Sequence, residues 1–163
     1  MNGTEDLITR AEAIARKAHT GQVDKAGQDY IDHPRRVAAN AAAIAEEQGL
    51  DSADAEFAIA AAWLHDVVED TSVSAEDLRR EFPAEVVDAV DAVTKRSGEA
   101  VEDYFARVRA DRLAVIVKTA DLADNTDPAR QAALDDETRV RLAAKYRRAY
   151  ELLGVDLLGE DAD

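Results

Sequence analysis

The chain has 163 residues and no cysteine, and 35 acidic against 20 basic residues give it a formal net charge of −15. Without thiols, disulfides and thiolate metal sites are excluded, so a metal ion would need His, Asp, Glu or backbone oxygen ligands. Nucleic-acid and anionic-membrane binding rest on cationic surfaces, and the charge argues against both partners. No stretch approaches the roughly 20 apolar residues of a membrane span. The polar start MNGTEDLITR lacks the apolar core of a signal peptide, so we expect a soluble, cytoplasmic protein.

Helical periodicity runs through almost the whole chain, and much of its apolar content is alanine, the strongest helix former. The pattern predicts a first helix over residues 4–18 and a glycine-containing loop over residues 19–33. Pro34 is placed at the first turn of a second helix, where its missing N–H is harmless. This second helix is expected to end near Gly49.

The third predicted helix is the most apolar part of the chain. Asp51 or Ser52 caps its start, and apolar residues occupy nearly every side over residues 57–68. A helix that is apolar all round is typical of a buried, central position. We therefore expect the rest of the fold to pack around this segment.

The remaining pattern is also helical. Ser74 and Asp77 resemble a capping box, and Pro83 opens another helix. Further helices are predicted over residues 99–109, 111–124 and 135–153. No repeat or linker is visible, so we predict one all-α domain over residues 1–155, followed by an acidic tail over residues 156–163.

Ionisable residues are concentrated at the end of the third predicted helix. The apolar run AIAAAWL is followed at once by His65 and Asp66 and, after two valines, by Glu69 and Asp70. Burying such groups costs several kcal/mol unless they are paired or bind an ion. On a helix, Glu69 would share a face with His65 and Asp66. The alternative is a buried ion pair that ends the helix.

Two more candidate ligands stand elsewhere in the sequence. His33 directly precedes Pro34, and Asp121 lies inside the apolar segment LAVIVKTADLA. Imidazole nitrogens and carboxylate oxygens can hold one divalent ion, and two His with two Asp suit Mn²⁺ or Fe²⁺ better than Mg²⁺ or Zn²⁺. Such an ion would acidify a bound water and polarise a phosphoryl oxygen. Without an ion, His33 would be a structural residue at a helix entry and Asp121 a partner of Lys118.

The segments AHTGQ, DYIDHP, WLHDVVEDT, AVTKR and KTADLADN occur in this order. Together they resemble the HD-domain phosphohydrolases, in particular the guanosine-polyphosphate (ppGpp) hydrolase branch with its stand-alone small alarmone hydrolases. The resemblance covers about residues 7–127 and is most specific in the element HDVVEDT. It implies a single-domain HD-type helical bundle that binds one Mn²⁺ and removes the 3′-pyrophosphate of ppGpp or pppGpp.

The same resemblance implies roles for individual residues. The metal ligands would be His33, His65, Asp66 and Asp121. Glu69 and Asp70 would be the catalytic pair that positions and deprotonates the attacking water. Lys25 and Asn125 would bind the substrate, a small nucleotide. Without these roles, Glu69 and Asp70 would be a solvated helix end, Lys25 a surface lysine and Asn125 a helix-terminal amide.

Two departures from the family pattern affect the expected substrate. Asp24 stands where the family has an arginine that packs against the guanine base, which a carboxylate cannot do. In KTADLADN the family's arginine is replaced by Leu122 and its histidine by Asp124, so a cation is lost and an acid is gained. The metal chemistry matches the family, whereas base recognition differs. Alternatives are therefore an HD phosphohydrolase for a nucleoside monophosphate or NADPH, or a nucleotide-binding module without turnover.

Three other residues have a structural and a functional interpretation. His19, the third histidine, is expected to be a structural residue at a helix end rather than a neighbour of the site. Trp63 and Tyr30 are expected to pack in the core and in the loop rather than to stack on a base. The oligomeric state and protein partners are left open by the sequence.

Overall fold

The computed structural model describes residues 3–154, with side chains from residue 7 onward. Within this range the chain forms ten helices and no strand; Val23 and Asp29 make an isolated bridge in the loop between the first two helices. The helices are α1 (Gly3–Ala18), α2 (Asp32–Glu47), α3 (Ser52–Leu64), α4 (Val67–Asp70), α5 (Ala75–Arg79), α6 (Ala84–Val93), α7 (Val101–Arg109), α8 (Arg112–Asn125), α9 (Pro128–Ala132) and α10 (Asp136–Leu153). The all-α prediction is confirmed for these residues, and the expected acidic tail lies outside them.

Helix α3 is the centre of the bundle, as its apolar sequence predicts. It packs against α1, α2, α6 and α8, and α2 also packs directly on α8. Alanine dominates these contacts, with Ala58, Ala60, Ala61 and Ala62 of α3 fully buried. Small side chains let helix axes approach toward the lower end of the usual range of about 8–10 Å. The close packing brings the start of α2, the end of α3 and the last turns of α8 to one place.

Helix caps follow the sequence signals. The Asp51 carboxylate accepts a hydrogen bond from the backbone N–H of Asp54 at 2.8 Å, which caps α3. Ser74 and Asp77 form the predicted capping box at the start of α5. Asp111 caps α8 by accepting from the N–H of Ala114 at 3.1 Å. Each cap satisfies backbone donors that would otherwise lack a partner.

The structure differs from the sequence prediction at the end of α3. The predicted run to residue 68 ends instead at Leu64, because Asp66 has non-helical backbone angles of φ −105° and ψ 0°. The Nδ1–H of His65 donates to the carbonyl oxygen of Ala62 at 2.7 Å, which satisfies a carbonyl at the helix end. The chain then resumes as the short helix α4, and this break turns the ionisable residues toward the site.

Two further differences concern the C-terminal part. Helix α9 was not predicted; Asp127 caps it, and Pro128 occupies its first turn. On α10, the apolar residues Leu142 and Leu153 are buried, whereas the apolar Val140 is 70% exposed. None of the described helices is long and apolar enough to cross a membrane.

The cap of α3 provides a test of the fold. Replacing Asp51 with Ala removes the acceptor for the Asp54 N–H, and we expect a loss of about 0.5–2 kcal/mol in the free energy of unfolding. Asp51→Asn, the matched control, keeps an acceptor oxygen and should stay near the wild-type value. Urea unfolding followed by circular dichroism measures both. Equal losses in the two variants would contradict the capping role.

Candidate functional site

A group of three buried side chains lies where α2, α3 and α8 meet. His33 is in the first turn of α2, His65 directly follows α3, and Asp121 is on α8. They are 3%, 4% and 6% exposed. Their nearest nitrogen and oxygen atoms all lie within 4.8 Å of one another. The Oδ1 atom of Asp121 is 2.9 Å from Nε2 of His33 and 3.3 Å from Nε2 of His65.

Asp66, the fourth ligand expected from the resemblance, lies beside this group. Its Oδ2 atom is 3.0 Å from Nε2 of His65 and 3.9 Å from Nε2 of His33. The hydroxyl of Tyr30 donates a hydrogen bond to the same oxygen. The structure therefore brings all four candidate ligands to one point, which we call the metal group: His33, His65, Asp66 and Asp121.

Both imidazoles are oriented through their other ring nitrogen. The Nδ1–H of His65 is held by the Ala62 carbonyl, and Nδ1 of His33 lies 2.6 Å from Oδ2 of Asp124. Each ring thus directs Nε2 at the carboxylates. Nε2 of His65 is fully buried and, among the residues that the structure describes, makes no well-aligned hydrogen bond, although carboxylate oxygens of Asp66 and Asp121 lie at 3.0 and 3.3 Å. Two nitrogen lone pairs that face carboxylate oxygens require a proton or a cation between them, so the donor set fits a divalent ion.

The ionisable residues of the metal group shift one another's pKa values. Burial alone lowers the pKa of His65, but the carboxylates of Asp66 and Asp121 outweigh it and raise this pKa well above its usual value. Burial likewise opposes the charge of Asp121, yet Lys118 and the two imidazoles hold its pKa well below the usual value. Lys118 contacts Asp121 Oδ2 through its Nζ at 3.1 Å. Without a metal ion, protons on the imidazoles balance the carboxylates.

The expected catalytic pair lies on α4, next to the metal group. The carboxylates of Asp66, Glu69 and Asp70 lie within 4.8 Å of one another. Glu69 Oε1 accepts a hydrogen bond from the backbone N–H of Lys95 at 2.9 Å, which fixes its direction. Partial burial and the charges of Asp66 and Glu69 raise the pKa of Asp70 to about 6. Near neutral pH, Asp70 is therefore well matched to exchange a proton with water.

A cavity of about 660 Å³ opens over the metal group and the α4 carboxylates. Its lining includes the six cations Lys25, Lys95, Lys118, Lys145, Arg130 and Arg148. Burial first, and then the charges of Lys95, Lys25 and Lys118, lower the pKa of Lys145, so the cavity lysines also act on one another. The same lining contains five carboxylates, those of Asp24, Asp66, Glu69, Asp70 and Asp121. The six cations outnumber these acids in a chain of net charge −15, and this local balance favours an anionic ligand.

Both predicted substrate residues line this cavity. Lys25 comes from the loop between α1 and α2, and Asn125 ends α8. The Asn125 amide donates to Asp121 Oδ1 at 3.3 Å, and its oxygen accepts from Nη1 of Arg130 at 2.8 Å. Asn125 therefore connects the metal group to the cavity wall.

The two departures from the family pattern have different structural roles. One carboxylate oxygen of Asp24 accepts from the backbone N–H groups of Ala26 and Gln28, each at 2.9 Å, so Asp24 closes its own loop. Its other oxygen is 3.7 Å from Arg130. Leu122 is 1% exposed and belongs to the core. Asp24 thus shapes the cavity, while Leu122 stabilises the packing.

His19, Trp63 and Tyr30 occupy different positions relative to the site. His19 is buried, contacts Gln22 Oε1 through Nδ1 at 3.0 Å and packs against the ring of Tyr30 at 4.8 Å. It directly follows α1 and does not line the cavity, but it is also a neighbour of the site because it packs on Tyr30, whose hydroxyl contacts Asp66. Trp63 is a buried core residue, as expected. Tyr30 does more than pack in its loop, because its hydroxyl contacts Asp66.

Sequence reasoning missed several residues of the site. Tyr30 and Lys95 stand inside the motif segments DYIDHP and AVTKR, so a signal for them was present. Asp124 stands inside KTADLADN, but there it was noted only as a departure from the family pattern. For Arg130 and Lys145 no such signal exists, since their roles depend on the contacts of α9 and α10 with other parts of the chain.

Comparison with known proteins supports the resemblance. A guanosine-3′,5′-bis(diphosphate) 3′-pyrophosphohydrolase of Haemophilus influenzae is 36% identical over 146 residues, which are 84% of this chain and 20% of that protein. A GTP pyrophosphokinase of Streptomyces coelicolor is 38% identical over 127 residues, 72% of this chain and 14% of the relative. The chain thus spans a fifth or less of the length of these relatives.

A solved structure and a family model also match this chain. The structure of a metazoan ortholog of SpoT, described as hydrolysing ppGpp, superposes with a TM-score of 0.66 at 23% identity, covering 90% of this chain and 85% of that one, and so shows the same fold. The sequence model of the HD domain family matches residues 11–155. With His33, His65 and Asp121 brought together inside the matched region, the chain belongs to the HD domain family.

Proposed function

We propose that this chain is a divalent-metal-dependent phosphohydrolase that acts on a nucleotide, with the 3′-pyrophosphate of ppGpp or pppGpp as its first candidate bond. The observation that carries the proposal is the buried metal group at the floor of a cation-lined cavity. Relatives named as ppGpp 3′-pyrophosphohydrolases support the substrate.

The ion would be held by Nε2 of His33 and His65 and by the carboxylates of Asp66 and Asp121. Mixed nitrogen and oxygen ligands with room for water favour Mn²⁺ as the ion, with Fe²⁺, Mg²⁺ and Zn²⁺ as alternatives. When bound, the ion would acidify water and polarise a phosphoryl oxygen.

The carboxylates of α4 would orient the attacking water and accept its proton. Asp70, whose pKa is about 6, is mostly ionised at neutral pH and can accept a proton. Glu69 is held by the backbone N–H of Lys95 and would orient the water toward Asp70. This pair argues against a module that only binds a nucleotide, because binding alone requires no proton acceptor.

Cavity cations would bind the phosphates of the substrate. Lys25 of the α1–α2 loop, Lys95 of the α6–α7 connection, and Lys145 and Arg148 of α10 come from three different parts of the chain and line one cavity. A ligand with phosphates at two separate positions could contact several of them at once. Lys118 lies deeper and pairs with Asp121, so its main effect is on the metal group.

One observation favours a second candidate substrate. Asp24 is engaged by two backbone N–H groups of its own loop and lies near Arg130, so this position offers no free guanidinium to stack on a guanine. An HD phosphohydrolase for another nucleotide, such as NADPH or a nucleoside monophosphate, is therefore the alternative.

The metal group is tested by Asp121→Asn. This change removes a charged ligand, and we expect Mn²⁺ affinity to fall by at least about 100-fold, together with phosphohydrolase activity. Isothermal titration calorimetry measures the affinity. Asp103→Asn, an exposed acid on α7, is the matched control and should bind Mn²⁺ like the wild type. Unchanged binding by Asp121→Asn would refute the site.

A substrate screen separates the two candidates. The Mn²⁺-loaded protein is incubated with ppGpp, NADPH and nucleoside monophosphates, and released pyrophosphate and phosphate are quantified. We expect pyrophosphate from ppGpp as the fastest product. Faster phosphate release from NADPH or a monophosphate would select the alternative, and no turnover of any substrate despite bound metal would favour a binding module.

The raised pKa values of the imidazoles predict a pH effect on metal binding. Burial lowers the pKa of His33, but hydrogen bonds that its ring donates to the carboxylates of Asp121 and Asp124 outweigh burial and raise this pKa, and the pKa of His65 is also raised. Below these raised pKa values both rings carry protons that the ion must displace, so Mn²⁺ affinity should fall as pH falls, by up to about tenfold per unit for each proton. Calorimetry in buffers of different ionisation enthalpy counts the released protons. Binding without proton release at pH 6 would contradict this.

A further inference from the structure

We infer that Asp124 is a positioning residue, which holds His33 in the tautomer that presents Nε2 to a divalent ion. The inference rests on the proposed metal-dependent function. Asp124 is on α8, one turn after Asp121, and is 5% exposed. Its Oδ2 atom lies 2.6 Å from Nδ1 of His33. No role follows for it from the family pattern, in which a histidine occupies this position.

Two arginines fix the Asp124 carboxylate. Arg36 of α2 donates from Nε to Oδ1 at 2.7 Å, and Arg130 of α9 donates from Nη1 to Oδ2 at 2.9 Å. Because both donors are cationic, the carboxylate stays ionised although it is buried. The Asp124 side chain on α8 is thereby held by residues of α2 and α9 and has little freedom to rotate.

The orientation of Asp124 determines where the His33 proton lies. An ionised carboxylate only accepts hydrogen bonds, so in the neutral ring Nδ1 must carry the proton and Nε2 the lone pair. Nη1 of Arg130 lies 3.2 Å from the same Nδ1, but as a donor it cannot replace the acceptor there. A negative partner at Nδ1–H also makes Nε2 a stronger donor to a metal ion.

The Nδ1–H of His65 has a different kind of hydrogen-bond partner from that of His33. Its Nδ1–H is held by a backbone carbonyl, which no side-chain substitution removes. His33 depends instead on a side chain, and it is the ligand whose tautomer a single substitution can change. Asp124 therefore influences the metal group without contacting the ion.

Asparagine at this position would disturb the arrangement in either orientation. If its amide nitrogen replaces Oδ2, an N–H donor faces Nδ1 of His33 and forces the ring proton to Nε2, where it blocks the metal. If the amide nitrogen replaces Oδ1, its N–H faces the Nε–H of Arg36, and neither group can accept a hydrogen bond from the other. Outer partners of metal-bound histidines change metal affinity by about 10–100-fold when mutated.

The test compares Mn²⁺ affinity of Asp124→Asn and the wild type by competition with a chelator at fixed pH. We expect binding weakened by about 10–100-fold. Glu99→Gln is the matched control, because Glu99 is also held by an arginine, with Nη2 of Arg107 at 2.7 Å, but lies outside the cavity lining. It should leave Mn²⁺ affinity unchanged, and thermal unfolding of both metal-free variants verifies that they fold.

A second measurement requires no variant. In the Zn²⁺-loaded wild type, long-range proton–nitrogen NMR spectra should show His33 protonated at Nδ1 and not at Nε2. A proton on Nε2, or equal Mn²⁺ affinity of Asp124→Asn and wild type, would overturn this inference and leave the metal site intact. If the wild type binds neither Mn²⁺ nor Zn²⁺, the proposed function itself fails.

Discussion

The site depends on buried hydrogen-bond acceptors, imidazole nitrogens and carboxylate oxygens, that face one another. Nε2 of His33 and of His65 point at carboxylate oxygens of Asp121 and Asp66 inside an apolar bundle. Such an arrangement is stable only with positive charge at its centre, supplied by protons or by an ion. Protonation in the metal-free chain and ion binding are thus alternative solutions to the same electrostatic problem.

Surrounding structure prepares the site for an ion. Nδ1 of each imidazole is occupied, by the Ala62 carbonyl and by the Asp124 carboxylate. Lys118 and Tyr30 contact the two acidic members of the metal group. Because these partners are on the packed helices and their connections, the ligand atoms are held near one point, which reduces the entropy lost on binding.

Charge is distributed very unevenly over the molecule. The chain is strongly acidic, yet cations from the α1–α2 loop, the α6–α7 connection and helices α8, α9 and α10 line one cavity. A small anion could therefore be attracted locally in spite of the net charge, since short-range fields in a cleft exceed the screened field of distant groups.

The amino-acid sequence by itself determined the all-α class and the central apolar helix, and it predicted a cap at Asp51 or Ser52, the capping box at Ser74 and the candidate ligands, because periodicity, capping and isolated ionisable residues are local signals. It did not reveal that α3 ends at Leu64, since its apolar pattern runs on to residue 68 and the break depends on the hydrogen bonds of His65. Nor did it reveal the pairing of Asp124 with His33, Arg36 and Arg130, or the convergence of Lys95 and Lys145 on one cavity. Those were decided by tertiary structure alone, because they join residues far apart in the chain whose proximity arises only when the alanine-rich helices pack.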